Sequence, residues 1–246
     1  MSVHRMKEVA GIIIPDSKIA TEATELLLEH GTEFIYNHSL RVFLFSSLNA
    51  KRENKIHDTE LLYVASVFHD LGLVSHYSSP DLRFEVDGAN AARDFLKGHG
   101  IAQDKLQLVW DTIALHTTIG IAEHKENEVA LMYSGVGLDV MGEGYENLSK
   151  EHREEIVRAF PRNDFKKKII PTFFGGFEHK TETTFGNIKA DVCAFMIPNF
   201  QRKNFCDCIL HSHGLNKQNK FTLTVTQPCT FSDAQGCCIL FISSFQ

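Results

Sequence analysis

His69 and Asp70 stand side by side at the end of an apolar run, Val64-Ala65-Ser66-Val67-Phe68, and a Leu71-Gly72 step closes the stretch. Burying an imidazole and a carboxylate together is costly unless something pairs with both. A divalent cation does so, because imidazole nitrogen and carboxylate oxygen are both good ligands for zinc, iron or manganese. If the run is one buried helix, adjacent side chains lie about 100° apart and can reach one ion beside its axis. The bland alternative is a core histidine with a private hydrogen bond and Asp70 capping the next turn. A lone His-Asp pair does not decide between the two.

Three more residues of ligand type fall on predicted core faces. The stripe Phe34, His38, Val42 and Phe45 predicts a helix from about Glu33 to Leu48 that turns His38 inward. Asp58 or Thr59 can cap the helix on which Leu62, Ala65 and His69 share a face. From Gln103, the stripe Leu106, Val109 and Ile113 leads to His116 near a helix C-terminus. A helix over Glu126–Val140 aligns Leu131 or Met132 with Gly135 and Asp139. One inward polar residue has a local explanation. Several on separate helices are satisfied together by a metal centre, which helical bundles build from facing helices.

The remaining elements frame this cluster. Val9–Ile14, ended by Pro15, reads as an extended arm; Asp16 or Ser17 then caps a helix through Leu28, which Gly31 breaks. Phe84–Leu96 reads as a helix, with Asp87-Gly88 able to open it, and Ser149 caps another over Glu151–Ala159. Glu85 and Asp87 are either acceptors that orient imidazoles or acids favoured at a helix N-terminus. Lys166-Lys167-Lys168 reads as a solvated helix end or turn, Gly175-Gly176 as a turn, His124 and His179 as surface, and Thr183–Phe195 as a last helix. From 212 onward Thr, Ser, Gln, Cys and Phe alternate, as in Phe221-Thr-Leu-Thr-Val, with no helical stripe. The expected fold is all-α: a helical domain over 1–211 and an atypical tail over 212–246 that need not be ordered.

With 246 residues, 43% apolar and 23% charged, the composition is that of an ordinary globular chain able to bury a substantial core. A net charge of -6 with no basic stripe argues against nucleic acid, and no apolar run is long enough to span a bilayer. The six cysteines all lie after residue 190. Without an export signal they are expected as thiols, in the cytoplasm or nucleus. Cys206, Cys208, His211 and His213 are four soft ligands close together, but paired zinc ligands are usually separated by a longer loop, so a second metal site is the weaker reading.

The order His38, His69-Asp70, Asp139 resembles the signature of the HD-domain superfamily of metal-dependent hydrolases and lyases. The wording Asn37-His38-Ser39-Leu40-Arg41-Val42-Phe43, Phe68-His69-Asp70-Leu71-Gly72, Arg83-Phe84-Glu85-Val86-Asp87-Gly88-Ala89, Ala114-Leu115-His116-Thr117-Thr118 and Gly137-Leu138-Asp139-Val140 is similar to its cyanamide hydratase branch. The resemblance runs from about residue 17 to 211. It implies an HD-type helical bundle in which His38, His69, Asp70 and Asp139 hold one divalent ion, zinc first, with iron or manganese as alternatives. Asp70 and His116 are then the catalytic candidates. His116 would orient substrate or transfer a proton, and Arg41, three residues after His38, is a weaker candidate for a substrate anion.

Such a metal brings the pKa of a bound water toward neutrality, and the expected reaction is addition of water to a small nitrile such as cyanamide, giving urea. The expected partner is a small molecule, with no nucleic acid or membrane, and a homo-oligomer is compatible. The enzyme rival is a metal-dependent phosphohydrolase. Phosphate recognition brings cations to the metal, and Leu61–Pro80 contains no Lys or Arg, so that rival depends on Arg41 or Arg83. A third reading is a catalytically silent protein that keeps the metal residues for ligand binding or stability.

Overall fold

The longest helix among the described residues is α2, Glu33–Glu53. Thr32 accepts the Ile35 N–H at its start, and Asn54 ends it in the left-handed conformation at φ 53°. It runs about one turn further than its apolar stripe predicts, and both flanks of its inward face are buried. The structure is a computed structural model, and it describes residues 8–212. Around α2 stand α1 (Lys18–His30), capped by Ser17, and α3 (Thr59–Phe68), capped by Asp58. They are followed by α4 (Phe84–Gly98), α5 (Gln103–Ala114), α6 (Asn127–Met141) and α7 (Lys150–Ala159). The all-α expectation holds: apart from one two-stranded ribbon, the described residues form helices and their connections.

The predicted arm is that ribbon. Strands β1 (Glu8–Val9) and β2 (Ile12–Ile13) pair antiparallel, Val9 opposite Ile12, across Ala10 and Gly11, both at positive φ. Two consecutive positive-φ residues match the tight turn that suits the right-handed twist of a hairpin.

Helices α2 and α6 approach most closely at Gly135. A Cβ there would lie 2.1 Å from Ser46 Oγ and 2.7 Å from the Val42 carbonyl oxygen. One turn away, Ser46 Oγ donates to the Leu131 carbonyl at 2.9 Å. The antiparallel pair is therefore in register, Ser46 beside Leu131, Val42 beside Gly135 and His38 beside Asp139, each step of four on one helix met by a step of four on the other.

Three local expectations are corrected. The run through Gly72 is not one helix: α3 ends at Phe68, His69 is its C-cap, and Asp70 opens a 3-10 turn over Leu71–Leu73. Gly72 is required for space, since a Cβ would fall 1.9 Å from the Phe84 carbonyl oxygen. That contact seats the start of α4, which begins at Phe84 as its expected range does, with Asp87-Gly88 inside the helix. Gly175-Gly176, read as a turn, lies inside helix α8 (Phe165–Phe177), where Gly176 packs against Leu73, whereas Lys166–Lys168 form the exposed first turn of that helix, the solvated helix end of the two readings given for them. A 3-10 segment, Glu178–Thr184, and α9 (Lys189–Met196) follow in place of one helix over 183–195.

Phe84, Phe177 and Cys193 form a second small core, separate from the main one built on α1 to α6. The chain divides into a unit ending at Lys203 and another beginning at Asn204. The second unit contributes helix α10 (Phe205–Leu210) to the described residues. Residues 213–246, and with them the tail reading and His213, lie outside the described residues. Among the described residues no helix is long and apolar enough to cross a membrane.

Candidate metal centre

His69 and His116 are held by the same local device. Each follows the end of a helix, where the last carbonyls have no intrahelical partner. His69 Nδ1 meets the Ser66 carbonyl at 2.8 Å, and His116 Nδ1 meets the Ile113 carbonyl at 2.6 Å, three residues back in both cases. A carbonyl can only accept, so each Nδ1 carries the proton and each Nε2 presents a lone pair. His38 reaches the same state differently. Its Nδ1 lies 2.6 Å from Asp139 Oδ2, again leaving Nε2 as the acceptor.

These three Nε2 atoms converge on Asp70. His69 Nε2 lies 3.4 Å and His38 Nε2 3.5 Å from Asp70 Oδ2, and His116 Nε2 lies 3.7 Å from Asp70 Oδ1. The two imidazole nitrogens of His38 and His69 are 3.3 Å apart. All four side chains are at most 2% exposed. Burial pushes the His69 imidazole down to about 3, outweighing the pull of Asp70, and burial likewise lowers His116. Both rings are therefore neutral near pH 7, the state in which an imidazole can ligate a metal.

An assembly of lone pairs around a carboxylate, with no donor among them, is unfavourable by itself. Asp70 Oδ1 and His116 Nε2 are both buried without a hydrogen-bond partner. His38, His69 and Asp70 place one ligand atom each within 4.8 Å of one another. A divalent cation answers each of these features: it accepts the lone pairs, neutralises the carboxylate and suits mixed imidazole and carboxylate donors.

Asp139, expected as a fourth ligand, is placed behind His38. Its Oδ1 accepts from Arg41 Nε and from Arg162, both at 2.8 Å, and its Oδ2 accepts from His38 and from the second Arg41 nitrogen. Burial alone would raise this carboxyl, but the bonds from His38 and Arg41 outweigh it and hold Asp139 well below the usual carboxylate range. An ion on His38 Nε2 would leave this carboxylate on the other side of the ring, where it would orient the imidazole.

Arg41, the candidate for a substrate anion, is 1% exposed and spent on structure. Its remaining nitrogen donates to the Phe160 and Pro161 carbonyls at 3.1 Å. Phe165 then covers His38, with ring centroids 5.5 Å apart.

Glu85 and Asp87 do not bond to the imidazoles. Glu85 receives Lys189 Nζ on both oxygens at 2.7 and 2.8 Å, with Thr117 and Arg83 on Oε1, and Asp87 receives Lys180 Nζ at 2.7 Å. Burial would raise Glu85, yet the Lys189 ammonium draws it down to about 2. Sequence reasoning missed Arg162, Lys180 and Lys189, because each lies where the apolar stripe is weak. It also missed the Ser66 and Ile113 carbonyls, which the position of each histidine just past a helix end could have indicated. Cys206, Cys208 and His211 are exposed, and among the described residues they form no group that could hold a metal. His124 and His179 are exposed, as expected.

The bundle and its buried donors define an all-α protein whose His38, His69 and Asp70 could hold a metal ion. The chain belongs to the HD domain family, whose match spans residues 35–164 of 246. Families of this type are in general metal-dependent hydrolytic enzymes. A search of curated proteins finds no match to the chain.

Proposed function

We propose that this chain is a metal-dependent hydratase that adds water across a small nitrile, with cyanamide to urea as the first reaction to test. The observation that carries the choice is electrostatic. The two cations expected to serve an anionic substrate are already bound to carboxylates, Arg41 to Asp139 and Arg83 to Glu85, and the nearby Arg162 and Lys189 are bound to the same two carboxylates. A phosphate dianion entering such a buried site would have few unpaired donors to meet it, and leaving a buried charge unpaired costs several kcal/mol. An uncharged nitrile makes no such demand. The motif wording around His38, His69, Arg83–Ala89 and His116 supports the same branch.

His38, His69 and Asp70 would hold the ion, and Asp139 would keep the His38 ring in its ligating orientation. When bound, the ion supplies an acidified water and polarises the substrate. His116 Nε2 faces the same point with a free lone pair and a lowered basicity. It can accept a proton from water as the C–O bond forms and return it to the nitrile nitrogen, where the C≡N electron pair is localised. The Ile113 carbonyl holds Nδ1–H throughout, so the ring exchanges its proton at Nε2 alone. A second proton shift gives urea, and one water is consumed per cyanamide.

The second reading, phosphomonoester hydrolysis, is favoured by Arg83, Arg202 and Lys203, which line a cleft of about 640 Å³ reaching Thr117. The test is urea formation by zinc-loaded protein, beside phosphate release from nucleoside monophosphates. Turnover of cyanamide that falls by about 10²-fold or more in His116→Ala, with zinc retained, fits the proposal. Phosphate release without urea would replace it with the second reading.

A further inference from the structure

The HD match ends at residue 164, yet a lysine from α9, far beyond it, is buried beside the site. Lys189 is 0% exposed and so is the carboxylate it binds, Glu85. A fully buried ion pair is often no more stabilising than apolar side chains of the same shape, so its presence asks for a role besides stability. Glu85 is also the acceptor for Thr117 Oγ1, at 2.6 Å. Thr117 follows His116 in the turn after α5. The ring of Phe84 meets the His116 ring nearly edge-on, centroids 5.7 Å apart, and Lys189 Nζ lies 5.1 Å from the centre of that same Phe84 ring.

We propose that Lys189, Glu85 and Thr117 are positioning residues for His116. Lys189 fixes the Glu85 carboxylate through both oxygens, Glu85 holds the Thr117 hydroxyl, and that bond sets the turn that aims His116 Nε2 at Asp70. The inference rests on His116 acting in the site, and it extends the working unit past the matched domain to α9.

The molecule contains its own control. Lys180 and Asp87 form a second buried pair between α4 and the segment after α8, equally inaccessible, but their contacts are with Ser78 and Ser79 and not with the His116 turn. Losing either lysine removes one buried pair, and only Lys189 is linked to His116.

The experiment uses the full chain, zinc-loaded and labelled with ¹⁵N-histidine, with the His116 ring resonance assigned through His116→Gln. Thr117→Val should displace the His116 Nε2 resonance and lower kcat on cyanamide about 10- to 100-fold with KM nearly unchanged. Thr117→Ser, which keeps the hydroxyl, should restore both. Lys189→Met should act like Thr117→Val, while Lys180→Met should leave the resonance in place even if it lowers Tm. A His116 resonance unmoved by Thr117→Val, or moved as far by Lys180→Met, would overturn the inference. If the protein binds zinc and ignores cyanamide, the proposed reaction fails, and the resonance comparison still decides the positioning role.

Discussion

His38 Nδ1 and Asp139 Oδ2 lie 2.6 Å apart, joining residues that are 101 positions apart in the chain. The bond exists because α2 and α6 run antiparallel in register, with Gly135 allowing their backbones to approach. It fixes the tautomer of His38 and turns Nε2 toward His69 and Asp70.

Asp139→Asn should therefore weaken metal binding without abolishing it. The amide can still sit beside His38, but it cannot match the carboxylate's pull on the imidazole N–H or balance Arg41 and Arg162. A loss of about 10- to 100-fold in zinc affinity is expected, as for other groups that orient a ligating histidine. Competition titration against a chelator of known affinity checks this.

Asp70→Ala should behave differently. It removes the one negative charge on which three imidazole nitrogens converge, and stoichiometric zinc should be lost. Saturating zinc should raise the Tm of the natural chain, since a ligand bound only to the folded state at about 1,000 times its Kd adds about 4 kcal/mol. The Asp70→Ala chain should show no such rise by calorimetry.

Gly135→Ala tests the helix approach itself. The added methyl would lie 2.1 Å from Ser46 Oγ and 2.7 Å from the Val42 carbonyl, so the helices must separate. A cost of about 1–3 kcal/mol is expected from overpacking, read as a lower urea midpoint. Zinc affinity should fall with it, because Asp139 moves away from His38. An unchanged affinity would show that the register is not what positions the pair.

Acid should expose the Glu85 pair. Its carboxyl is drawn from 4.5 to about 2 by Lys189 against the opposing effect of burial. A carboxyl with a depressed folded-state pKa contributes stability that is present above its unfolded value and is lost as pH falls toward the folded one. A depression of this size corresponds to about 3 kcal/mol, lost between about pH 4.5 and pH 2. Urea midpoints of metal-free protein across that window should fall more steeply in the natural chain than in Glu85→Gln.

The sequence alone determined the bundle and its inward histidines, because helical periodicity marks which side chains must be buried: His38 and Asp139 fall on such faces, and His69 and His116 lie just past the ends of the helices whose apolar stripes lead to them. The caps Ser17, Asp58 and Ser149 were legible for a related reason, since they satisfy the N–H groups of their own first turns. The tertiary structure decided what those residues do to one another. Whether Asp139 meets a metal or His38 depends on the spacing of two helices nearly a hundred residues apart, which no local pattern encodes. Helix α8 was invisible because Pro171 and Gly175-Gly176 oppose helix locally, and its C-terminal end is seated by the packing of Phe173 and Phe177 on Phe84 and of Gly176 on Leu73. The buried lysines were equally hidden: Lys180 and Lys189 read as solvated charges until the fold brings Asp87 and Glu85 to them, since only a carboxylate already in place makes burying an ammonium tolerable.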